Sequence, residues 1–369
     1  MKRAAAAAIS LMTGLAMLTG CSRAEVEETI QPLVADAIEE SDSEAEAVKE
    51  EDESPLIPEI DTDIKIHAGS RIAVVSKCVK GEYWKMVKKG MEDAVKEINK
   101  AYGYKKDDQI TMTFEGPDNE EDVETQINTI DAVIAENPDV LCISASDMDS
   151  CEAQLEAAKE NGIPVIAFDS NVAEKKLVKA YRGTDNVQVG KMAAYQLGSA
   201  LGKMGKVAVF SAQQKTKSVQ DRVEGFMNSI GKYGDIEVVE TIYSDQVDDM
   251  EASMKEVLEK YPTLDGVFCT NADITEMYLN LEKSDEHDAP ALVGVDATTK
   301  QQEAIRNGEE IGCVSQQPYA MGYQTIWAAV ETTAPKKSVV IEKNVLSNPA
   351  WIDADCLDDP DYSGYLYTE

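Results

Sequence analysis

From about residue 70 onward, short apolar runs alternate with longer helical patterns, and nothing else in the chain narrows the fold as much. The spacing predicts strands over residues 71–76, 110–114, 139–144, 163–168 and 178–183, with helical patterns over 84–99, 121–135 and 151–161 between them. Each helix is long enough to cross a sheet face, so consecutive strands are expected to pair in parallel. A second series then begins. It reads as helix 187–201, strand 206–211, helix 219–233, strand 236–243, helix 248–260, and strands 266–270, 291–295 and 311–315. The expectation is an α/β chain with two similar doubly wound parallel-sheet lobes, and 369 residues are enough for two domains.

The two ends depart from this pattern. "MKR" is a short positive stretch, "AAAAAISLMTGLAML" an apolar one, and "LTGC" places small residues before Cys21. Residues 1–20 therefore read as an export signal, a single transmembrane anchor being the alternative. "LTGC" resembles a bacterial lipobox, which implies cleavage before Cys21 and a diacylglycerol on its sulfur. Residues 22–66 hold sixteen acidic residues against three basic ones, a composition too polar to offset the entropy of ordering. A flexible acidic tether over 21–68 is expected, with a short helix around "VEETIQPLVADAIEE" packed on the body as the alternative. The net charge of −34 argues against nucleic acid and anionic lipid surfaces as direct partners. Of the seven cysteines, Cys142, Cys269 and Cys313 lie in apolar runs and Cys78 follows a strand, and no metal-ligand spacing appears. With Cys21 acylated six remain, so disulfides are arithmetically possible in an exported chain.

Open parallel sheets bind ligands at the carboxyl ends of their strands, and those ends are polar here: "SKCVKGEYW", "FEGPDN", "SASDMDS", "FDSN", "RGTDN", "FSAQQK", "IYSDQ", "CTNAD", "GVDATT" and "VSQQPY". Carboxylates, amides, an arginine and aromatic rings suit a small neutral polyol, whose hydroxyls are gripped by planar polar groups and whose C–H faces are covered by rings. Asp147 in "SASDMDS" joins the candidates on this ground. Local alternatives stand beside these readings. Tyr83 and Trp84 at a helix start are also ordinary core residues, Arg222 also fits a surface ion pair with Asp221 or Glu224, and Asp296 also fits a cap on the helix that follows.

Several ordered segments resemble the periplasmic sugar-binding proteins of ABC importers, in particular the ribose-binding branch. These are "PVIAFDSN", "GTDNVQVGKMAA", "QDRVEGF", "GVFCTNAD", "LVGVDAT" and "VSQQPYAMG", and the likeness covers about residues 70–340. The resemblance implies a type I two-lobe fold with Tyr83 and Trp84 as ring-stacking residues, and with Asp169, Arg222, Asn271, Asp296 and Gln316 as hydrogen-bonding ligand residues. Three departures concern the ligand: Ser170 follows Asp169 where ribose binders carry an arginine, the first turn has an extra residue, and Asp245 replaces an aromatic of the second lobe.

The resulting expectation is an extracytoplasmic solute-binding lipoprotein, a monomer that captures a sugar or polyol and delivers it to the membrane subunits of an ABC permease, with no cofactor or metal. A sensor presenting its bound ligand to a membrane signalling receptor is the alternative. The expected N-terminal lobe is 69–184 plus 317–337 and the C-terminal lobe 185–316 plus 338–369, with crossings near 184–185, 316–317 and 337–341. An enzyme is disfavoured, since the only histidines are His67 and His287 and no G-x-S-x-G, Walker or G-x-G-x-x-G motif follows a strand. A repressor is disfavoured because an acidic segment stands where basic DNA-binding helices would.

Overall fold

The computed structural model describes residues 57–281, 289–335 and 339–368. The export signal, Cys21, the tether up to residue 56 and His287 lie outside the described residues.

The first lobe is a six-stranded sheet of β1 (Arg71–Val75), β2 (Thr111–Glu115), β3 (Val140–Ile143), β4 (Val165–Phe168), β5 (Ala180–Thr184) and β11 (Asn344–Ser347), in the order β11-β5-β4-β3-β1-β2 with every pair parallel. The second repeats that order. It is built of β6 (Met204–Ser211), β7 (Asp235–Tyr243), β8 (Gly266–Cys269), β9 (Ala291–Val295), β10 (Gly312–Ser315) and β12 (Ala350–Ile352), ordered β12-β10-β9-β8-β6-β7. Only β12 runs antiparallel to its neighbour.

Central strands covered on both faces must be apolar throughout, and β3, β4, β8 and β10 are buried at every residue. Side chains alternate across the sheet, so Ile72 and Val74 of β1 meet one layer of helices while Ala73 and Val75 meet the other. The first layer is α1 (Gly81–Tyr102) and α9 (Pro318–Glu331), and the second is α2 (Val123–Ala135) and α3 (Glu152–Glu160). In the other lobe α4 (Asn186–Ala200) and α5 (Lys217–Ile230) cover one face, α6 (Met250–Lys260) and α7 (Ala272–Leu279) the opposite one, and α8 (Thr299–Asn307) packs beside β10 and β12. Two glycine contacts let helix pairs touch backbone to backbone. A Cβ on Gly90 of α1 would stand 2.0 Å from the Tyr319 carbonyl oxygen, and one on Gly190 of α4 would stand 2.0 Å from that of Arg222.

The chain passes between lobes after β5 and after β10. The third passage was expected near 337–341, but β11 pairs with β5 over Asn344–Ser347 and so belongs to the first sheet. The passage therefore lies between Ser347 and Ala350, and of 338–369 only the part from β12 onward joins the second lobe. The reason is that β11 supplies the free edge of β5 with backbone partners, which the sequence of β11 does not advertise. The tether also ends sooner than expected. Ile60, Ile64 and Ile66 pack on the first lobe, Tyr102 Oη donates to the Asp61 and Ile64 carbonyl oxygens, and the His67 amide donates to Thr333 Oγ1 at 3.0 Å.

Candidate functional site

Between the carboxyl ends of the two sheets lies a cleft of about 310 Å³. The fourth strand in each series, β4 and β9, ends in an aspartate held in the left-handed region, Asp169 at φ 54° and Asp296 at φ 79°. That turn ends the strand and brings both carboxylates to the cleft.

Asp169 is 3% exposed and well provided for. Tyr83 Oη donates to its Oδ1 at 2.7 Å, Ser144 Oγ donates to Oδ2 at 2.7 Å, and Lys77 Nζ stands 3.0 Å from Oδ2. Burial alone pushes this carboxyl up, but the Lys77 ammonium, the two hydroxyl donors and the Arg222 guanidinium outweigh it, and its pKa lies below the ordinary value. Burial likewise pulls Lys77 down, while Asp169 and then Glu120 raise it past its ordinary value. The pair is ionised. Lys77 also lies over the Trp84 ring at 5.7 Å, and Trp84 Nε1 donates to Glu120 Oε1 at 2.8 Å.

The second lobe contributes Arg222 from α5. Its Nε donates to Asn186 Oδ1 at 2.8 Å and its Nη1 to the Thr270 carbonyl at 2.7 Å, which fixes the plane of the guanidinium at the cleft wall. It is 3% exposed, so the surface ion pair does not form. Asn271 caps α7 by accepting from the Ile274 amide at 3.1 Å. Asp296 accepts from the Ala272 amide at 3.0 Å through Oδ2, and from Gln316 Nε2 and Tyr367 Oη, both at 2.8 Å, through Oδ1. The cap of α8 is Thr298 with Gln301, so Asp296 does not serve it. Asp273 is pushed up to about 7 by burial between the cleft walls and then by the charges of Glu120, Glu276 and Asp296. The residue as a whole is exposed, so solvent screens part of this effect.

Of the residues picked out in the sequence, Tyr83, Trp84, Asp169, Arg222, Asn271, Asp296 and Gln316 come together around the cleft. Tyr83 and Trp84 pack edge to face at 5.0 Å and 88° and are 7% and 3% exposed, so they are as much core as cleft wall. Three others are not brought to it. Asp147 turns back on its own loop, accepting from the Asp149 and Ser150 amides; Asp245 accepts from the Gln214 amide. Ser170 meets Ser218 of the other lobe, Oγ to Oγ, at 2.6 Å. Residues the sequence reading passed over include Lys77, Glu120 and Asp273. Lys77 and Asp273 stood in plain view within "SKCVKGEYW" and "CTNAD".

The lobes meet along the rim of this cleft. The Thr299 amide donates to Glu82 Oε2 at 2.7 Å, Gln213 Nε2 to the Glu120 carbonyl at 2.7 Å, and Thr216 Oγ1 to the Ser146 carbonyl at 2.5 Å. At the crossings, Thr184 Oγ1 donates to Gln316 Oε1 at 2.9 Å. All six cysteines among the described residues are free thiols, five of them buried.

Two sheets of one strand order, joined by three passages of the chain and facing each other across a polar cleft, define a two-lobed binding protein of the type I periplasmic class. The sequence matches the periplasmic binding protein domain over residues 72–337, and the chain belongs to that family. It is 26% identical over 220 residues to the ribose import binding protein of Bacillus subtilis (strain 168), covering 60% of this chain and 71% of that one. It is 25% identical over 211 residues to a xylitol-binding protein of Mycolicibacterium smegmatis, covering 57% of this chain and 60% of the relative. Among solved structures, an ABC transporter solute-binding protein from Agrobacterium vitis with bound D-fucose superposes with a TM-score of 0.72 at 26% identity, covering 81% of this chain and all of the other. Membership makes this a solute-binding protein rather than an enzyme and implies a place outside the cytoplasm; the relatives just named are described as binding sugars or a polyol.

Proposed function

We propose that the protein is an extracytoplasmic lipoprotein that closes its two lobes on one sugar or related polyol and delivers it to the membrane subunits of an ABC permease. The observation that carries this reading is the cleft wall itself. Asp169 and Arg222 arrive from opposite lobes with fixed planes, Asp296, Asn271 and Gln316 stand beside them, and each is already oriented by protein partners. Preset donors and acceptors are what discriminate hydroxyl patterns, because a mismatched polar group in a dry cleft goes unpaired. The relatives named for ribose and xylitol, and the D-fucose complex, point to the same ligand class. Anchoring rests on "LTGC" and Cys21.

The test is native mass spectrometry and thermal unfolding of the mature chain against D-ribose, xylitol, D-fucose and related pentoses, hexoses and polyols. A cognate compound at a hundred times its Kd stabilises the fold by about 2.7 kcal/mol. If no member of the panel binds or shifts unfolding, the sugar reading is wrong. Fatty-acid labelling of wild type and Cys21→Ser checks the anchor, and equal labelling of the two rejects it.

A further inference from the structure

The last residues of the described chain return to the cleft. Ser315 Oγ donates to the Tyr365 carbonyl at 2.5 Å, the Tyr367 amide donates to the Ala297 carbonyl at 3.0 Å, and Gln302 Nε2 donates to the Tyr367 carbonyl at 2.8 Å. The backbone of the tail is thus fastened to the second lobe. Its terminal ring is not confined there. Tyr367 is 1% exposed and packs in the apolar cluster of the first lobe, with its centroid 5.9 Å from that of Tyr83 at an interplanar angle of 54°. Its hydroxyl donates to Asp296 while that of Tyr83 donates to Asp169. Each lobe's strand-end aspartate therefore receives a tyrosine hydroxyl, and the two rings touch.

We propose, on the solute-binding reading above, that Tyr367 is a positioning residue of the cleft: its hydroxyl sets the Asp296 carboxylate, and its ring, wedged against Tyr83, couples that setting to closure of the lobes. Two donors on Oδ1 hold the Asp296 plane and leave Oδ2, with a single amide donor, as the oxygen with capacity for a ligand hydroxyl. Opening the lobes separates the Tyr83 and Tyr367 rings and exposes apolar surface, so the docked tail favours the closed arrangement.

The experiment is hydrogen exchange resolved to single amides on the full ligand-free chain, comparing wild type with Tyr367→Phe and Tyr367→Ala. The Ala272 amide reports on Asp296 and the Thr299 amide on the contact with Glu82 across the cleft; Val74, in the core of β1, is the control. Loss of one hydroxyl donor in Tyr367→Phe is expected to speed exchange at Ala272 about tenfold and leave Val74 unchanged. Tyr367→Ala is expected to speed Thr299 as well. Should the alanine variant fail to fold, the phenylalanine variant decides alone. Unchanged exchange at Ala272, or equal acceleration at Ala272, Thr299 and Val74, overturns the proposal, since the latter is the mark of a merely structural tail. Calorimetry with D-ribose, xylitol and D-fucose is run in parallel. A sugar that binds wild type is expected to bind Tyr367→Phe about tenfold more weakly, and equal affinity also overturns the proposal. If none binds wild type, the choice of ligand fails while the exchange data still decide the role of Tyr367.

Discussion

Lys77 and Asp169 are worth most to the protein as a complete pair. Both are almost fully buried, and removing either charge strands the other away from water. Lys77→Met is expected to cost about 3–5 kcal/mol of stability, measured by urea unfolding. The pH dependence has a definite sign. Asp169 titrates below its ordinary 3.8 in the fold, so its contribution is present above that value and is lost as pH falls through the lower folded one. Lys77 titrates above 10.5, so its share is present below that value and is lost as pH rises through the higher one. In Lys77→Met acid unfolding should begin at a higher pH, and an unmoved acid limb would count against the pair. Asp273 acts in the opposite sense. Its pKa is raised from 3.8 to about 7, so the fold binds the extra proton and stability declines as pH rises between those values. Asp273→Asn should flatten that decline and gain up to about 1 kcal/mol at pH 7.5, since solvent screens this exposed residue; a decline of unchanged slope would refute it. Not all of this was legible in the sequence. Asp169 and Asp296 stand at strand ends where polarity has no packing purpose, and Arg222 lies in a helix segment legible only through the family resemblance, but a lysine after a strand reads as a solvated turn. Asp147 and Asp245 show the converse, because a polar strand end serves its own turn, as Asp147 does, or a neighbouring loop, as Asp245 does through the Gln214 amide, as readily as a ligand.

At the scale of helices and strands, the two glycine contacts separate packing from binding. Gly90→Ala and Gly190→Ala both place a methyl against a backbone oxygen, and each should cost about 1–3 kcal/mol or more as the helices move apart. Only the second presses on Arg222. Gly190→Ala should therefore weaken sugar binding beyond its loss of stability, and Gly90→Ala should not, as calorimetry below the unfolding transition would reveal. The alternation of strand and helix could be read because buried central strands and one-sided helices leave different periods in the sequence. Other elements could not. α7 spans only Ala272–Leu279, too short for its period to stand out between two apolar strands. β11 and β12 are placed by the partners they find at the sheet edges, a tertiary matter their few residues do not encode. Tyr367 falls in the same class, as its burial depends on where the whole tail is led.

Across the whole molecule, hydrogen bonds on both sides of the cleft show the lobes in contact, and three short passages of chain are the places about which they can part. Small-angle scattering should find a smaller radius of gyration with a cognate sugar than without, since ligand favours the closed form only through contacts made there. An unchanged radius at saturation would exclude hinge closure. The path of the chain also fixes a timetable. The first lobe is the first to be synthesised, yet α9, its helix partner for α1, spans Pro318–Glu331, and its edge strand β11 ends at Ser347. Until those residues leave the ribosome, the apolar faces of α1 and β1 lack part of their cover, whereas β6 to β10 already have their own helices. A nascent chain is thereby kept from completing its leading lobe until Ser347 has been made, so the lobe that is begun first is not the first that can close its core.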